Sequence, residues 1–406
     1  MRREHLSTAG LICILAAALL SWPRSASAEQ LPLRHYGVYE GLPHSTVRCI
    51  LQDSRGYLWI GTADGLARFD GYSFTTYDTA DGLGHSFINS IAEDHHGRVW
   101  IATNGGGVSC FIDWVPQTVS TGEAAATQKF VTFKIADQRE SNRVNALTFD
   151  LNDRLWCATD GGVFRAGVAP GRVENLKFDM IVPHSPAALA MGALLDSRGR
   201  LWFGNGGMII EAIGDRIITY GPGNESAREI RCFAEDRQGR LLAANGGGLL
   251  EFVEPRDPAS AGSWKAAPIG LSDYGGPHCM QVDSEGALWI GADHGLIKYR
   301  NGKTALYNTS NGLSDNFVVS LNLDRDKNLW IGTNAGGLCM LSAEPVVAFG
   351  RSDGLPDAQV ARLFEDRAGH IYASTNGGGL VEVTETRLSP IEWSQKPAFK
   401  AIAQRI

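Results

Sequence analysis

The sequence contains no long basic run, no C-x-x-C pair and no stretch with a sustained 3.6-residue apolar period. The missing basic run, together with a formal charge of −7, removes nucleic acid from the expected partners. Without C-x-x-C, and with no histidine at ligand spacing, no zinc site or other metal centre is expected. The missing helical period argues against an α-helical fold. Cysteine is scattered rather than clustered. Cys49, Cys110, Cys157, Cys232, Cys279 and Cys339 fall about one to a repeat and read as buried small residues, not as a disulfide framework.

Apolar runs are equally sparse. The longest, residues 9–20, follows Arg2 and Arg3 and precedes Pro23 and Ala26-Ser27-Ala28. At about a dozen residues it is short of the ~20 that span a bilayer, and its flanks are those of a cleaved secretory signal. Residues 1–28 are therefore expected to be a signal peptide, and the rest of the chain to be exported to the periplasm.

Glycine is abundant, at 48 of 406 residues, as are turns and short strands. One string recurs, D-x-x-G-x-L-W-I-G-T-x-x-G-G-L, beginning at Asp53, Asp94, Asp150, Asp196, Asp236, Asp283, Asp324 and Asp366. Counting from the Asp as zero, position +3 is glycine except at Asp153 and Lys327. Position +6 is Trp59, Trp100, Trp156, Trp202, Leu242, Trp289, Trp330 and Tyr372, so six of the ten tryptophans share one offset. The D-x-x-G reads as a tight turn in which Asp caps its own backbone and Gly takes positive φ. L-W-I-G-T alternates as a strand, and G-G-L is a second turn into a third strand. With an apolar strand before each Asp and an aromatic one after, each repeat holds four antiparallel strands in roughly 45 residues, the size of a β-propeller blade.

Position −4, on the strand before the turn, is small in seven copies: Cys49, Ser90, Ala146, Gly192, Cys232, Cys279 and Ser320. Small residues are what converging blades leave room for near an axis; the eighth copy has Arg362 instead. An outer-strand pattern also occurs around Arg34-His35-Tyr36, ahead of any blade. The expectation is an all-β propeller: a seven-bladed ring over residues 29–342, closed by that N-terminal strand. Residues 343–406 would then hold the eighth blade and the start of a ninth repeat, as the opening of a truncated second ring. The alternative is one eight-bladed ring.

The string DSRGYLWIGTADGLARFDGYSFTTYDTADGL from Asp53, with its siblings, resembles the two-component regulator propeller family over about residues 30–390. That resemblance implies the extracytoplasmic sensor region of histidine kinases and hybrid two-component systems, with a homodimer in an intact receptor. This sequence departs from the family pattern in lacking the later blades, the membrane helix and every output motif. Its membrane connection would thus run only through missing C-terminal regions, and no kinase activity is expected of it. The implied function is a ligand-sensing propeller that takes a small molecule or oligosaccharide, with no cofactor. A propeller-scaffold lyase acting on a polysaccharide or cyclic ester, and a protein-binding scaffold, are the alternatives.

Candidate ligand-binding residues come from position −5, where Arg48, Asn89, Asn145, Arg231 and His278 are polar and Met191 and Val319 are not. Polar residues on innermost strands would line a central pocket suited to a sugar or an anion. A second set, His44, His85, Asn104, Asn245 and Asn334, falls on loops expected to share one face. The N-G-G-G strings at 104–107, 245–248 and 376–379 lack the following Lys of a phosphate loop and read as turns. DRDKN at 324–328 lacks the acidic twelfth residue of a calcium loop. His95 and His96 read as solvated turn residues. No catalytic residue is assigned.

Overall fold

A computed structural model of the chain describes residues 31–391 apart from 113–127, 170–172, 174, 184–189, 222–228, 256–260, 272, 344–349, 352–353, 358, 377–378 and 385–387. The export signal at 1–28, the spare strand around 346–349 and the ninth-repeat start at 396–406 lie outside the described residues. Two compact units divide at Ala343 and Glu344.

In the first unit each repeat folds as one four-stranded antiparallel sheet, with strands in chain order from the axis outwards. The first sheet is Val47–Gln52, Leu58–Thr62, Gly65–Phe69 and Phe74–Tyr77. Seven such sheets occur among the described residues of this unit. Their first strands are Val47–Gln52, Ile88–Glu93, Val144–Phe149, Ala190–Leu195, Ile230–Glu235, Pro277–Val282 and Val318–Leu323. Each lies beside the next in chain order, and the last lies beside the first. The seventh sheet draws its outer strand from the N-terminus: Leu33–Tyr36 pairs antiparallel with Leu338–Leu341.

The repeated Asp does more than cap its turn. Asp53 Oδ1 accepts the N–H groups of Arg55 and Tyr57, both at 2.9 Å, while Oδ2 accepts the indole N–H of Trp59 at 2.7 Å. The indole bond recurs at Trp100, Trp156, Trp202, Trp289 and Trp330, at 2.7 to 3.0 Å. A charged acceptor satisfies an indole that would otherwise be buried with a bare N–H. In the fifth sheet Leu242 has no N–H, and Asp236 Oδ2 takes the guanidinium of Arg240 instead. At +3 the turn needs a left-handed backbone whatever the residue. Gly56 has φ 96°, and Asp153 and Lys327 adopt φ 59° and 65° despite their side chains. Asp153 Oδ1 is further held by His95, through its backbone N–H at 3.2 Å and its Nδ1 at 2.9 Å, so this half-exposed histidine ties the second sheet to the third.

The sheets interlock through wedged side chains. Trp59 packs with Ile88, Ile91, Val99 and Phe111 of the second sheet, and Trp289 with Val318, Leu329 and Ile331 of the seventh. Polar ties repeat at the seams. Ser54 N–H donates to Glu93 at 2.7 Å and Ser197 N–H to Glu235 at 2.7 Å. The seam between seventh and first sheets uses the same device, with Arg325 N–H donating to Gln52 at 2.9 Å. The loop ends join there too, through Gly337 N–H to the Ser45 carbonyl at 2.9 Å. Radial packing of this kind removes exposed sheet edges from the axis.

The second unit holds an eighth sheet: Val360–Glu365, Ile371–Thr375, Gly379–Val383 and Leu388–Pro390. Its Asp366 bonds the Tyr372 hydroxyl at 3.3 Å, the phenol standing in for the indole. Leu355, Ala373, Val381 and Leu388 form its own apolar cluster.

Candidate functional site: the axial cavity

Each first strand carries a β-bulge at the same register. In the first sheet the pairing jumps from Val47 opposite Thr62 to Cys49 opposite Gly61, leaving Arg48 unpaired. The same jump leaves Asn89, Asn145, Arg231, His278 and Val319 unpaired in their sheets. In the fourth sheet it falls one residue later, on Gly192 at φ 62°. A bulge re-aims one side chain out of the ladder. In six of the seven sheets it turns position −5 towards the axis.

The result is one cavity of about 470 Å³ on the axis of the first unit, lined by Arg48, Asn89, Asn145, Met191, Arg231, His278 and Val319 together with Glu229, Phe233, Phe317 and smaller neighbours. All five polar candidates from position −5 are thus brought together. Three kinds of polar residue meet there. Arg48 lies over the Phe87 ring at 5.1 Å, and its Nε is buried with no hydrogen-bond partner. Asn89 Nδ2 donates to the Val144 carbonyl at 2.9 Å, and Asn145 Nδ2 to Asp160 at 2.9 Å. Arg231, His278 and Asp293 form a chain: Arg231 Nη1 to His278 Nδ1 at 2.9 Å, then His278 Nε2 to Asp293 Oδ1 at 2.6 Å. A guanidinium can only donate, so Nδ1 is the acceptor and Nε2 carries the proton. Both ring nitrogens are engaged, and the ring lies against Phe317 with centroids 4.5 Å apart.

Electrostatics fit that tautomer. Burial, aided by the charge of Arg231, outweighs Asp293 and lowers the His278 pKa below its ordinary 6.5. Burial works against the Asp293 carboxylate, but the Gly276 N–H, His278 and Arg231 outweigh it and hold its pKa below the usual range. The folded state then binds fewer protons than the unfolded chain, so the sign is loss of stability with acid. The His278 part should be complete above about pH 6.5 and lost as pH falls through the folded value; the Asp293 part is lost only below about pH 4. Urea midpoints at pH 7 and pH 5 check this: the drop is expected to be smaller in His278→Gln than in the parent. Equal drops would place the proton uptake elsewhere.

Two further repeat positions shape the cavity. Asp160 and Asp293, both at +10, orient the −5 residue of their own sheets. Phe87 and Phe317, both at −7, cover the −5 residue of the preceding sheet. The loop candidates are occupied differently. His44 Nδ1 accepts the Thr46 N–H and His85 Nδ1 the Phe87 N–H, both at 2.9 Å, which makes them turn caps. Asn104 and Asn334 join neighbouring loops through backbone N–H bonds to Phe87 at 3.0 Å and Phe317 at 2.9 Å. Asn245 Oδ1 accepts the Gly247 N–H at 2.8 Å. None of these five lines the axial cavity. The six cysteines among the described residues are free thiols. Burial pushes Cys49 and Cys232 up to about 12, so they are inert walls of the inner strands.

Sheets of this order, packed around an axis, define a β-propeller. The two-component regulator propeller family model matches residues 41–64, 82–105 and 312–335. A 68-residue stretch is 34% identical to histidine kinase P4 of Formosa agariphila, covering 17% of this chain and 5% of that protein. The extracellular domain of a putative hybrid two-component system from B. thetaiotaomicron is similar in fold, with a TM-score of 0.61 and 21% identity over 89% of this chain and 49% of that one. Virginiamycin B lyase from Staphylococcus aureus is also similar in fold, with a TM-score of 0.59 and 11% identity over 76% of this chain and 98% of that one. The chain thus spans about half of the two-component neighbour and a small part of the kinase. Among the described residues no helix is long and apolar enough to cross a membrane.

Proposed function

We propose that this chain is an extracytoplasmic, ligand-sensing propeller of a two-component signalling system, with the axial cavity as its ligand seat. In this reading residues 29–342 are one seven-bladed ring and residues 343–406 begin another. The repeats and the histidine-kinase relative support the signalling context. The observation that carries the ligand seat is the bulge that six of the seven sheets share at position −5. It aims Arg48, Asn89, Asn145, Arg231 and His278 into one cavity, where neither guanidinium forms an ion pair with a carboxylate among the described residues. Unpaired cations in a concave site suit a ligand that supplies the partner. Binding without turnover is favoured over a lyase. A general base needs a free lone pair within reach of the substrate proton, and both His278 nitrogens are committed.

The test is a thermal-shift screen of the purified protein against oligosaccharides and small acids, with Met191→Trp and Val319→Trp filling the cavity. A ligand at about 100 times its Kd stabilises the fold by about 2.7 kcal/mol, a readily measured shift. Stabilisation in the parent and none in the folded plugged variants supports the reading. A ligand that stabilises all three proteins equally overturns the seat, and ligand consumption lost in His278→Ala would restore the lyase.

A further inference from the structure

Resting on the axial cavity as the ligand seat, we propose that its ligand is a hydroxy acid, a small molecule whose carboxylate is received by Arg48 and whose neighbouring hydroxyl donates to Asn89. The two arginines of the cavity are not equivalent. Arg231 spends Nη1 on His278, which in turn is held by Asp293. Arg48 makes no hydrogen bond or ion pair among the described residues, and its Nε is buried. Phe87 lies under its guanidinium, so the planar fork is held rather than swinging in solvent. A buried N–H left bare is costly, and a carboxylate satisfies a guanidinium fork with two parallel bonds.

Asn89 occupies the same bulge position in the adjacent sheet. Its Nδ2 is committed to the Val144 carbonyl, which fixes the amide and leaves Oδ1 as the atom without a partner among the described residues. That oxygen only accepts. A carboxylate cannot donate to it, but a hydroxyl can. A fork of donors next to a lone acceptor therefore fits an acid group next to a hydroxyl. Glu229, the carboxylate of the lining, precedes the fifth sheet and forms no ion pair with Arg48 among the described residues. A neutral sugar offers Arg48 hydroxyl acceptors but neither the charge nor the two parallel oxygens of a carboxylate, and a simple carboxylate would leave Asn89 unsatisfied.

Calorimetric titration of the full chain with D-glucuronate, D-glucose and propionate as probes tests this. Glucuronate is expected to bind with one site per chain, and glucose and propionate at least about tenfold more weakly. Arg48→Gln should weaken glucuronate by about 30-fold and leave glucose unchanged, and Asn89→Ala should weaken glucuronate by about fivefold. No saturable glucuronate binding up to ~10 mM overturns the class, as does binding that Arg48→Gln leaves intact. The seat fails separately: glucuronate bound equally well by Met191→Trp would remove the cavity itself. A neutral ligand that Met191→Trp blocks and Arg48→Gln does not would keep the seat and sink the acid.

Discussion

Asp53→Ala is expected to lower the unfolding free energy by about 4 kcal/mol, and Asp236→Ala by only about 1 kcal/mol. Both aspartates accept two backbone N–H groups of their turn. They differ in what Oδ2 holds. At Asp53, which is fully buried, it holds the indole N–H of Trp59, also fully buried. Removing the carboxylate strands three donors, and water cannot reach the indole. At Asp236 the third partner is Arg240, whose side chain is 58% exposed, so solvent replaces the lost bond. Trp59 also wedges into the core of the second sheet, so a loosened ring would weaken the seam as well. Urea unfolding followed by tryptophan fluorescence gives both values. Equal losses would assign the effect to the turn alone and leave the Asp–Trp bond with no energetic role.

That bond also marks how far the sequence was legible. Asp and Trp recur at fixed offsets, so blade, turn and strand order could be read directly. What joins them could not, because six residues separate them and the carboxylate was already explained by its turn. The cavity lining was legible at position −5 because the bulge keeps one register; the bulge itself left no mark in the residue types. Where it shifts to Gly192, Met191 breaks the polar pattern in the same sheet. Phe87 and Phe317 were missed for a different reason. They act on the preceding sheet, so their role appears only when sheets are placed side by side. Asp160 and Asp293 share an offset with Ala63 and Asn104, which hid them. The loop histidines, His44 and His85, stand as ligand candidates by their place on one loop face, and each also uses Nδ1 as a backbone cap. The tie from His95 to Asp153 is invisible within one repeat, because Asp153 lies in the next.

The inner strands set the tightest steric limit, and Gly61→Val is expected to cost about 3 kcal/mol. A Cβ at Gly61 would stand 2.4 Å from Cys49 Sγ and 2.6 Å from Ile88 Cγ2, inside any real contact distance. The first is the −4 residue of its own sheet, the second the −6 residue of the next. The same squeeze appears at Gly332, against Ser320 and Val47, and at Gly291, against Cys279 and Val318. Where the next sheet begins with a residue lacking a β-branch, as at Ala190 and Pro277, the preceding sheet carries Ala158 and Ala244 in place of glycine. Ala102 before Val144 departs from the rule. Small residues at −4 thus reflect close approach between neighbouring strands as much as convergence on the axis. The contact predicts coupling: Gly61→Val with Ile88→Ala should lose at least about 1 kcal/mol less than the two single losses combined. Gly167→Ala, where a Cβ meets nothing within 4 Å, should change stability by no more than about 0.5 kcal/mol. Strict additivity of Gly61→Val and Ile88→Ala would mean that the two sheets do not press on each other there, and the tight inner ring that aims the bulged side chains would lose its physical basis.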